Sequence, residues 1–394
     1  MFQFILALVA CLFSITSFSQ VEEVIKNSSS FDHIDTINFN SFDAIAKSIG
    51  DAEIVFLGEQ SHGDGTTFEV KTQLVKYLHE KKGFNVLLFE SDSWSINELW
   101  EKNQTEQLRS NVFNVWSKYQ QMDNLFQYIL TEKNKNSPLN FGGFDCNHYS
   151  NYSKKEYTLS LQNFLIHQPF YNSDSLLWKK FISEIDRSIH EKTFDLKNSK
   201  DTLSVQSKTF ISEQLNFLIT NCSDDNWKHE FKNLKGLLTF RWNKDLSVRD
   251  QTMAENIIWL YNTKYKGQKL IVWAHNLHIT KSLHQLENQL STGELVAKSL
   301  VNKTFHLGFI SGKGNFGLYN TAEYTIKTPK KNSLEYLLMQ QNSYYSFIPL
   351  NAKSKNLTFK SAGIFHEKYV HTKWSEVYDG FFYIKEMNSC EKVN

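Results

Sequence analysis

The sequence has few of the residues that mark flexible linkers and disulfide frameworks. Its 394 residues include only 4 Pro and 4 Cys. No proline-rich hinge is therefore indicated, and no Cys-x-x-Cys pair predicts a structural zinc site or a redox pair. The formal net charge is only +1, which argues against a nucleic-acid-binding protein because such proteins are usually basic. These features leave a globular protein of one or two domains as the expected class.

Long hydrophobic runs are scarce after the first twenty residues. Residues 1–19 are apolar, lack acidic side chains and end in the small-x-small pattern SFS, so they predict a secretory signal peptide that is cleaved before Gln20. The LVAC sequence that ends at Cys11 resembles a lipoprotein box, but too few residues precede it, so we do not expect lipid anchoring there. No later run approaches the roughly 20 apolar residues of a membrane span. We therefore expect an exported periplasmic or extracellular protein.

Five short apolar runs do not alternate with polar residues, which is typical of strands that are buried on both faces of a parallel sheet. Segments with helical patterns separate them, so the sequence predicts a three-layer α/β/α core with a mostly parallel sheet. The runs are Glu53–Leu57, Asn85–Phe89, Leu139–Phe144, Lys269–Ala274 and Phe305–Ile310.

Helix-start signals and a change to amphipathic helical patterns complete the expected organisation. Thr66–Glu69 has the pattern of a capping box, and Ser91 or Ser93 is expected to cap the next helix. Residues 151–265 carry amphipathic helical patterns and predict a mainly helical insertion or lid. We therefore expect a core in two parts, residues 20–150 and 266–394, that this insertion interrupts.

Ionisable side chains follow the apolar runs. In open α/β sheets, ligands bind outside the carboxyl ends of the strands, so scattered residues at these ends are expected to converge there. We predict that they form a functional site, although a helix cap or a loop residue is the plainer interpretation of any single one, above all of Asp145 and His148. The residues are Glu59 and His62, Glu90, Asp145 and His148, and His275 and His278.

The sequence resembles the erythromycin esterase family. The resemblance is carried by the motifs GEQSHG, VLLFES, FGGFD, RDQTMAENIIWL, VWAHNLH and YDGFFYI, which extend from Ile54 to Ile384. It implies an α/β/α core with a helical part and hydrolysis of the macrolactone ester of erythromycin-type antibiotics. It also implies that His62 is the general base, that Glu59 lies beside it, and that Glu90 and His275 line the same cleft.

Two further residues matter in the light of this resemblance. His278 matches the second histidine of the AHN-x-H motif. Lys71 stands where the family usually has an arginine, and lysine keeps the charge but loses the planar fork of donors. The resemblance covers nearly all of the chain after residue 19, so it predicts a carboxylic ester hydrolase with a small-molecule ester, expected to be a macrolide, as substrate.

Chemical reasoning from the residues supports the same class of reaction. An imidazole titrates near neutral pH, so His62 suits the activation of water, and a carboxylate such as Glu59 or Glu90 can orient it. Amides at the start of the helix after Thr67, together with Lys71, are candidates to hold the oxyanion. His275 or His278 is the candidate for protonating the leaving group.

The helix after residue 248 supplies one more pair of candidates. Its apolar stripe includes Asp250, which we expect either to cap the helix or to reach the cleft. Arg249, beside it, is expected to pair with a site carboxylate, as part of substrate binding or as a structural ion pair.

Several alternatives stay open on the sequence alone. Ser61 is a candidate nucleophile, but no G-x-S-x-G elbow supports it, so attack by water is preferred. We expect no cofactor, although His62, His275 and His278 with Glu59 and Glu90 also resemble a divalent-metal ligand set. The protein would then be a metal-dependent hydrolase or peptidase. A ligand-binding protein without catalysis on the same scaffold is the third possibility. The natural substrate, the preferred macrolide ring size and the oligomeric state are not encoded in a recognisable way.

Overall fold

The computed structural model describes residues 20–171, 176–190, 203–283, 289–350 and 354–393. The predicted signal peptide and Cys11 lie outside these residues. The described residues form two compact units. The first unit contains the described residues up to Leu88, together with Asn114–Asn140 and those from Gly267 onward, and the second contains Phe89–Phe113 and Phe141–Lys266.

The predicted α/β class is confirmed: helices flank a mixed, mostly parallel sheet. The strands are β1 (Ser29–Phe31), β2 (Ile54–Leu57), β3 (Phe84–Asp92), β4 (Asn140–Asp145), β5 (Lys269–Trp273), β6 (Thr304–Phe316), β7 (Tyr324–Ile326), β8 (Tyr345–Pro349), β9 (Phe359–Ser361), β10 (Val370–Thr372) and β11 (Gly380–Met387). Each of the five predicted apolar runs coincides with a strand, with bounds that differ by a few residues.

The sheet of the first unit has the strand order β1-β8-β11-β6-β2-β5, followed by the start of β3. β2 lies parallel between β5 and β6, so that Ile54 is opposite both Leu270 and Thr304. All four residues of β2 are buried, as the continuous apolar run predicts. The antiparallel strands β1 and β8, and β7 paired with β6, make the sheet mixed. β9 and β10 form a separate two-stranded sheet.

The helices of the first unit connect or flank these strands. They include α1 (Asp43–Ile49), α2 (Gly65–Lys82), α5 (Asn114–Ser117), α6 (Asp123–Glu132), α12 (Thr292–Ser299), α13 (Leu334–Met339) and α14 (Trp374–Val377), with short 3-10 helices at Asn40–Phe42 and Gln120–Met122. α2 runs from the end of β2 to the start of β3. This β-α-β connection places the first turn of α2 beside the carboxyl end of the sheet.

The second unit contains the ends of β3 and β4, which are neighbours in the sheet, and a large helical part. Its helices are α3 (Ser93–Glu101), α4 (Leu108–Asn111), α7 (Asn151–Ile166), α8 (Leu176–His190), α9 (Val205–Asn221), α10 (Asp225–Asn243) and α11 (Leu246–Asn262), with a 3-10 helix at Thr105–Gln107. An aromatic and aliphatic core holds the helices together, and Tyr157, Phe181 and Phe231 within it are fully buried.

Two expected helix caps are wrong. α2 begins at Gly65 after Asp64, and Thr66 Oγ1 accepts a hydrogen bond from the Asn388 amide instead of capping the helix. Asp92, not Ser91 or Ser93, caps α3, because its carboxylate accepts from the Ser95 amide at 3.0 Å.

In α11, the structure excludes one of the two alternatives for Asp250. Its cap is Asp245, whose side chain accepts from the Ser247 amide. Asp250 lies a full turn inside the helix and is buried, so it does not cap the helix.

Candidate active site

The carboxyl ends of β2 and β5 bring two of the predicted residues together. The two strands are parallel neighbours, with Leu57 opposite Trp273. Glu59 and His275 each follow two residues later, and the next amide, that of Asn276, donates to the Glu59 carbonyl at 2.8 Å. Residues from distant parts of the sequence therefore meet at the edge of the sheet where ligands usually bind.

The Glu59 side chain is fully buried and accepts three hydrogen bonds. The donors are Lys71 Nζ at 2.5 Å, Trp116 Nε1 at 2.9 Å and His62 Nδ1 at 3.0 Å. A carboxylate that accepts three hydrogen bonds has its oxygen atoms well satisfied. Glu59 is therefore an orienting group for His62.

His62 keeps one ring nitrogen open. Because Nδ1 donates to Glu59, the neutral ring carries its proton there and leaves the Nε2 lone pair free. Among the described residues, Nε2 has no hydrogen-bonding partner, and 29% of the side chain is exposed. The ring is fixed by edge contacts with Trp116 and His275, at centroid distances of 5.0 and 5.3 Å. This arrangement is the one required of a general base.

Lys71 does not occupy the oxyanion position expected from the sequence. Its side chain is fully buried, with Nζ bonded to Glu59 and 3.9 Å from the centroid of the Trp273 ring. The ammonium group thus neutralises Glu59, and Lys71 is not among the residues that line the adjacent cavity. We correct its expected role from oxyanion binding to support of the Glu59 carboxylate.

His275 lines the cavity, but both ring nitrogens contact the backbone. Nε2 donates to the Gln60 carbonyl at 2.9 Å, and Nδ1 accepts from the Leu277 amide at 3.0 Å. This pattern fits a neutral ring that holds the loop around His62, not a proton donor for a leaving group. His278, in contrast, is half-buried and also faces the cavity.

His62, His275 and His278 line a cavity of about 430 Å³ at the carboxyl end of the sheet of the first unit. Three histidines predicted from the sequence lie on it, and apolar side chains cover much of the rest. The lining residues are Gln60, Ser61, His62, His275, Leu277, His278, Phe316, Leu318, Phe365 and His366.

Sequence reasoning missed Trp116, His366 and the apolar wall of this cavity. Trp116 lies on α5, and its indole reaches Glu59 across 57 positions of sequence. No local motif surrounds either residue, so only the fold reveals their contribution. The Asn of the AHN-x-H motif, Asn276, has a structural role, since its amide binds the carbonyls of Phe309 and Gly363.

Covalent nucleophiles are not favoured by the geometry. Ser61 Oγ lies 3.2 Å from the Gly63 amide and receives its hydrogen bond, while His62 is directed to Glu59 instead of Ser61. Burial raises the pKa of the Cys146, Cys222 and Cys390 thiols, so none of them is activated as a thiolate.

Among the remaining predicted residues, Glu90, Asp145 and Arg249 form a cluster within the second unit. Arg249 Nη2 binds Glu90 at 2.8 Å and Asp145 at 2.6 Å, and Arg249 Nε also donates to Asp145. Burial alone would lower the pKa of Arg249, but the charges of Asp145 and Glu90 raise it well above its ordinary value. The expected pairing of Arg249 with a site carboxylate is therefore present. His148 is buried near Glu230, at 3.2 Å.

No group of three or more His, Cys, Asp or Glu side chains among the described residues is placed to hold a metal ion. His275 has both nitrogens bonded to the backbone, and His62 Nδ1 is bonded to Glu59. Within the described part of the chain, no helix is long and apolar enough to cross a membrane.

Comparison with known proteins gives consistent matches. Residues 183–387 match the family model described as Erythromycin esterase. The chain is 24% identical to "Putative hydrolase YbfO" of Bacillus subtilis (strain 168), over 89% of this chain and 88% of that protein. It is 20% identical to "Erythromycin esterase type II" of Escherichia coli, over 90% and 94% of the two chains.

Solved structures show the same fold. A succinoglycan biosynthesis protein superposes with a TM-score of 0.76 at 20% identity, over 95% of this chain and 98% of that one. A mutant of the erythromycin esterase EreC in its open conformation superposes with a TM-score of 0.62 at 15% identity, over 93% and 99%.

Proposed function

The chain belongs to the erythromycin esterase family, and we propose that it opens the macrolactone ester of an erythromycin-type macrolide by attack of a water molecule that His62 activates. Membership of the family indicates a hydrolase with a small-molecule substrate. The observation that supports the mechanism is the His62 ring, which Glu59 holds through Nδ1 and which lines a cavity of about 430 Å³, with no partner for Nε2 among the described residues.

The proposed reaction uses the two nitrogens of His62 differently. Nε2 takes a proton from water as the water oxygen attacks the ester carbonyl carbon, and Glu59 stabilises the imidazolium through Nδ1–H. The tetrahedral intermediate collapses with cleavage of the carbon–oxygen bond to the alkoxide. The alkoxide takes up a proton from protonated His278, the proposed donor, and the product is the ring-opened hydroxy acid. The proton that His62 took from water then passes through solvent to His278, which restores both histidines.

The cavity wall supports a large and mostly apolar substrate. Phe316, Leu318 and Phe365 lie on one cavity with His62 and His278. Apolar walls bury the body of a ligand, and a few polar groups orient it. A macrolactone has this character. Participation of Glu90 and Arg249 in the same reaction, and export directed by residues 1–19, remain predictions.

The test is mass spectrometry of erythromycin after incubation with the purified protein, with and without a chelator. We expect a product heavier by one water in both conditions. No product from folded protein would contradict the macrolide assignment. A product that disappears with chelator and returns with a divalent metal would favour a metal-dependent hydrolase instead.

A further inference from the structure

The loop that carries His62 is tied to the rest of the site on both of its sides. Glu59 to Asp64 connect the end of β2 to α2, and His62 lies in the middle of this stretch. The Nδ1 bond to Glu59 fixes the ring only if the backbone on either side is also fixed. The contacts of Gln60 and Asp64 therefore bear on the orientation of His62.

On the far side of His62, a buried carboxylate joins the loop to a second histidine. Asp64 Oδ2 accepts from the Ser61 amide at 3.0 Å, and Oδ1 accepts from His366 Nε2 at 2.8 Å. The side chains of Asp64 and His366 are 1% and 4% exposed. A bond between two groups with so little exposure is screened little by solvent.

On the near side, the Gln60 amide makes a matching connection. Its Nε2 donates to the Ala362 carbonyl at 2.6 Å, and its Oε1 accepts from Ser311 Oγ at 3.2 Å. Ser311 Oγ in turn lies 3.3 Å from His366 Nδ1. The segment from Ala362 to His366 thus holds the loop at Gln60 and at Asp64, with His62 between the two attachments.

His366 also belongs to the wall of the cavity. Its ring stacks on Phe316 at a centroid distance of 4.5 Å and an interplanar angle of 25°. Both residues line the cavity that His62 faces. Its two nitrogens are engaged with Asp64 and Ser311, so its contribution passes through the loop and not through a proton transferred to substrate.

We propose that His366, through Asp64, is a positioning residue for His62. This inference rests on the proposed role of His62 as general base. Loss of the Asp64–His366 bond frees the loop on one side, and the ring then samples orientations in which Nε2 no longer meets the attacking water. A misplacement of about 1 Å costs on the order of 100-fold in rate, so the turnover number is the sensitive quantity.

The test compares three variants of the full protein. His366→Phe keeps the ring contact with Phe316 but removes both hydrogen bonds, whereas His366→Gln keeps a donor near the Nε2 position. His371→Phe makes the same chemical change at an exposed histidine of β10. Two quantities are measured: kcat and KM for erythromycin, and hydrogen exchange of the peptide that covers residues 59–65.

We expect His366→Phe to lower kcat about 10- to 100-fold with little change in KM, and to speed exchange in residues 59–65 about 10-fold while the core strands stay protected. His366→Gln should recover most of both effects, and His371→Phe should match wild type. Unchanged kcat and loop exchange, a change in KM alone, or faster exchange throughout the sheet would overturn the proposal. If wild type does not hydrolyse erythromycin, the proposed function fails, and loop exchange alone decides whether His366 holds the loop.

Discussion

Each unit contains a buried cluster of carboxylates and a lysine or arginine, and the two clusters differ in what they leave open. In the first, Glu59 accepts hydrogen bonds from Lys71 and Trp116 and still orients His62, which lines a cavity. In the second, Arg249 binds two carboxylates at once. Buried charge is common to both, so it does not by itself identify a catalytic site. The distinguishing feature is an open nitrogen at a cavity.

The largest expected effect comes from removing that nitrogen. His62→Ala should lower kcat for ester hydrolysis about 10²- to 10⁴-fold, because general-base catalysis contributes this much. Its melting temperature should change little, since the ring is partly exposed. Steady-state kinetics and thermal unfolding of the same preparation check both statements. A near-wild-type kcat in His62→Ala would show that the Glu59 cluster is not distinguished from the Arg249 cluster by catalysis.

The Arg249 cluster should instead contribute to the free energy of unfolding. Arg249→Met leaves Glu90 and Asp145 without their cation, and breaking a buried pair costs about 3–5 kcal/mol of the free energy of unfolding. Urea denaturation followed by circular dichroism measures it. Arg187→Met is the matched control, because the Arg187–Glu184 pair is partly exposed, with 46% and 16% of the two side chains accessible, and should contribute less. Equal losses of unfolding free energy in the two variants would show that the buried cluster stabilises the fold no more than the Arg187–Glu184 pair does.

A double-mutant cycle separates the two roles of Glu59. Lys71→Met and Glu59→Gln each leave one buried charge without its partner, and each should cost about 3–5 kcal/mol. The double variant should be more stable than the sum of the single losses predicts. It should nevertheless stay poorly active, because His62 lacks its carboxylate. Recovery of activity together with stability would mean that Glu59 is only a structural partner of Lys71.

His306 differs from the partly exposed His62 in being buried. Burial lowers the pKa of His306 to about 4, while its Nδ1 donates to the Ile279 carbonyl. As the pH falls below about 6.5, His306 binds a proton in the unfolded chain but stays neutral in the folded protein. Its contribution to the free energy of unfolding is therefore complete above about pH 6.5 and is lost as the pH falls towards about 4. The loss amounts to at most about 3 kcal/mol. Urea denaturation between pH 7 and pH 4.5 should show a shallower dependence in His306→Phe than in wild type.

The smallest effect is expected at Trp116. Trp116→Phe keeps a ring beside His62 but removes one donor from the Glu59 carboxylate, at a cost of about 1.5 kcal/mol. We expect a several-fold fall in kcat, much less than for His62→Ala. A fall as large as that of His62→Ala would mean that the indole itself takes part in the reaction.

The predictable part of the structure is the part with local signals. The continuous apolar run of β2 and the motif residues Glu59 and His275 follow from the pattern and from the rule that parallel strands deliver their ends to one edge. β1, β7 and β8 were not anticipated, because short strands at or near the edge of the sheet carry little pattern of their own. The Thr66 cap failed because the end of β11 supplies a competing partner at Asn388.

The sequence predicts which residues belong to the site better than it predicts the role of each residue there. Lys71 and His275 were identified from sequence, but their hydrogen bonds depend on groups that only the fold brings near, such as the Trp273 ring and the Gln60 carbonyl. His366 lies 304 positions beyond His62 and has no motif. Tertiary contacts of this kind have no local signature in a single sequence.

The central claim is that Glu59 holds the neutral His62 ring with its proton on Nδ1 and its Nε2 free. The most direct test is NMR spectroscopy of protein labelled with nitrogen-15 in histidine, at a pH where this ring is neutral, with His62→Asn used to assign the signals. The account predicts a single tautomer with a protonated Nδ1 and an unprotonated Nε2. A ring protonated at Nε2, or a rapid mixture of both forms, would contradict it.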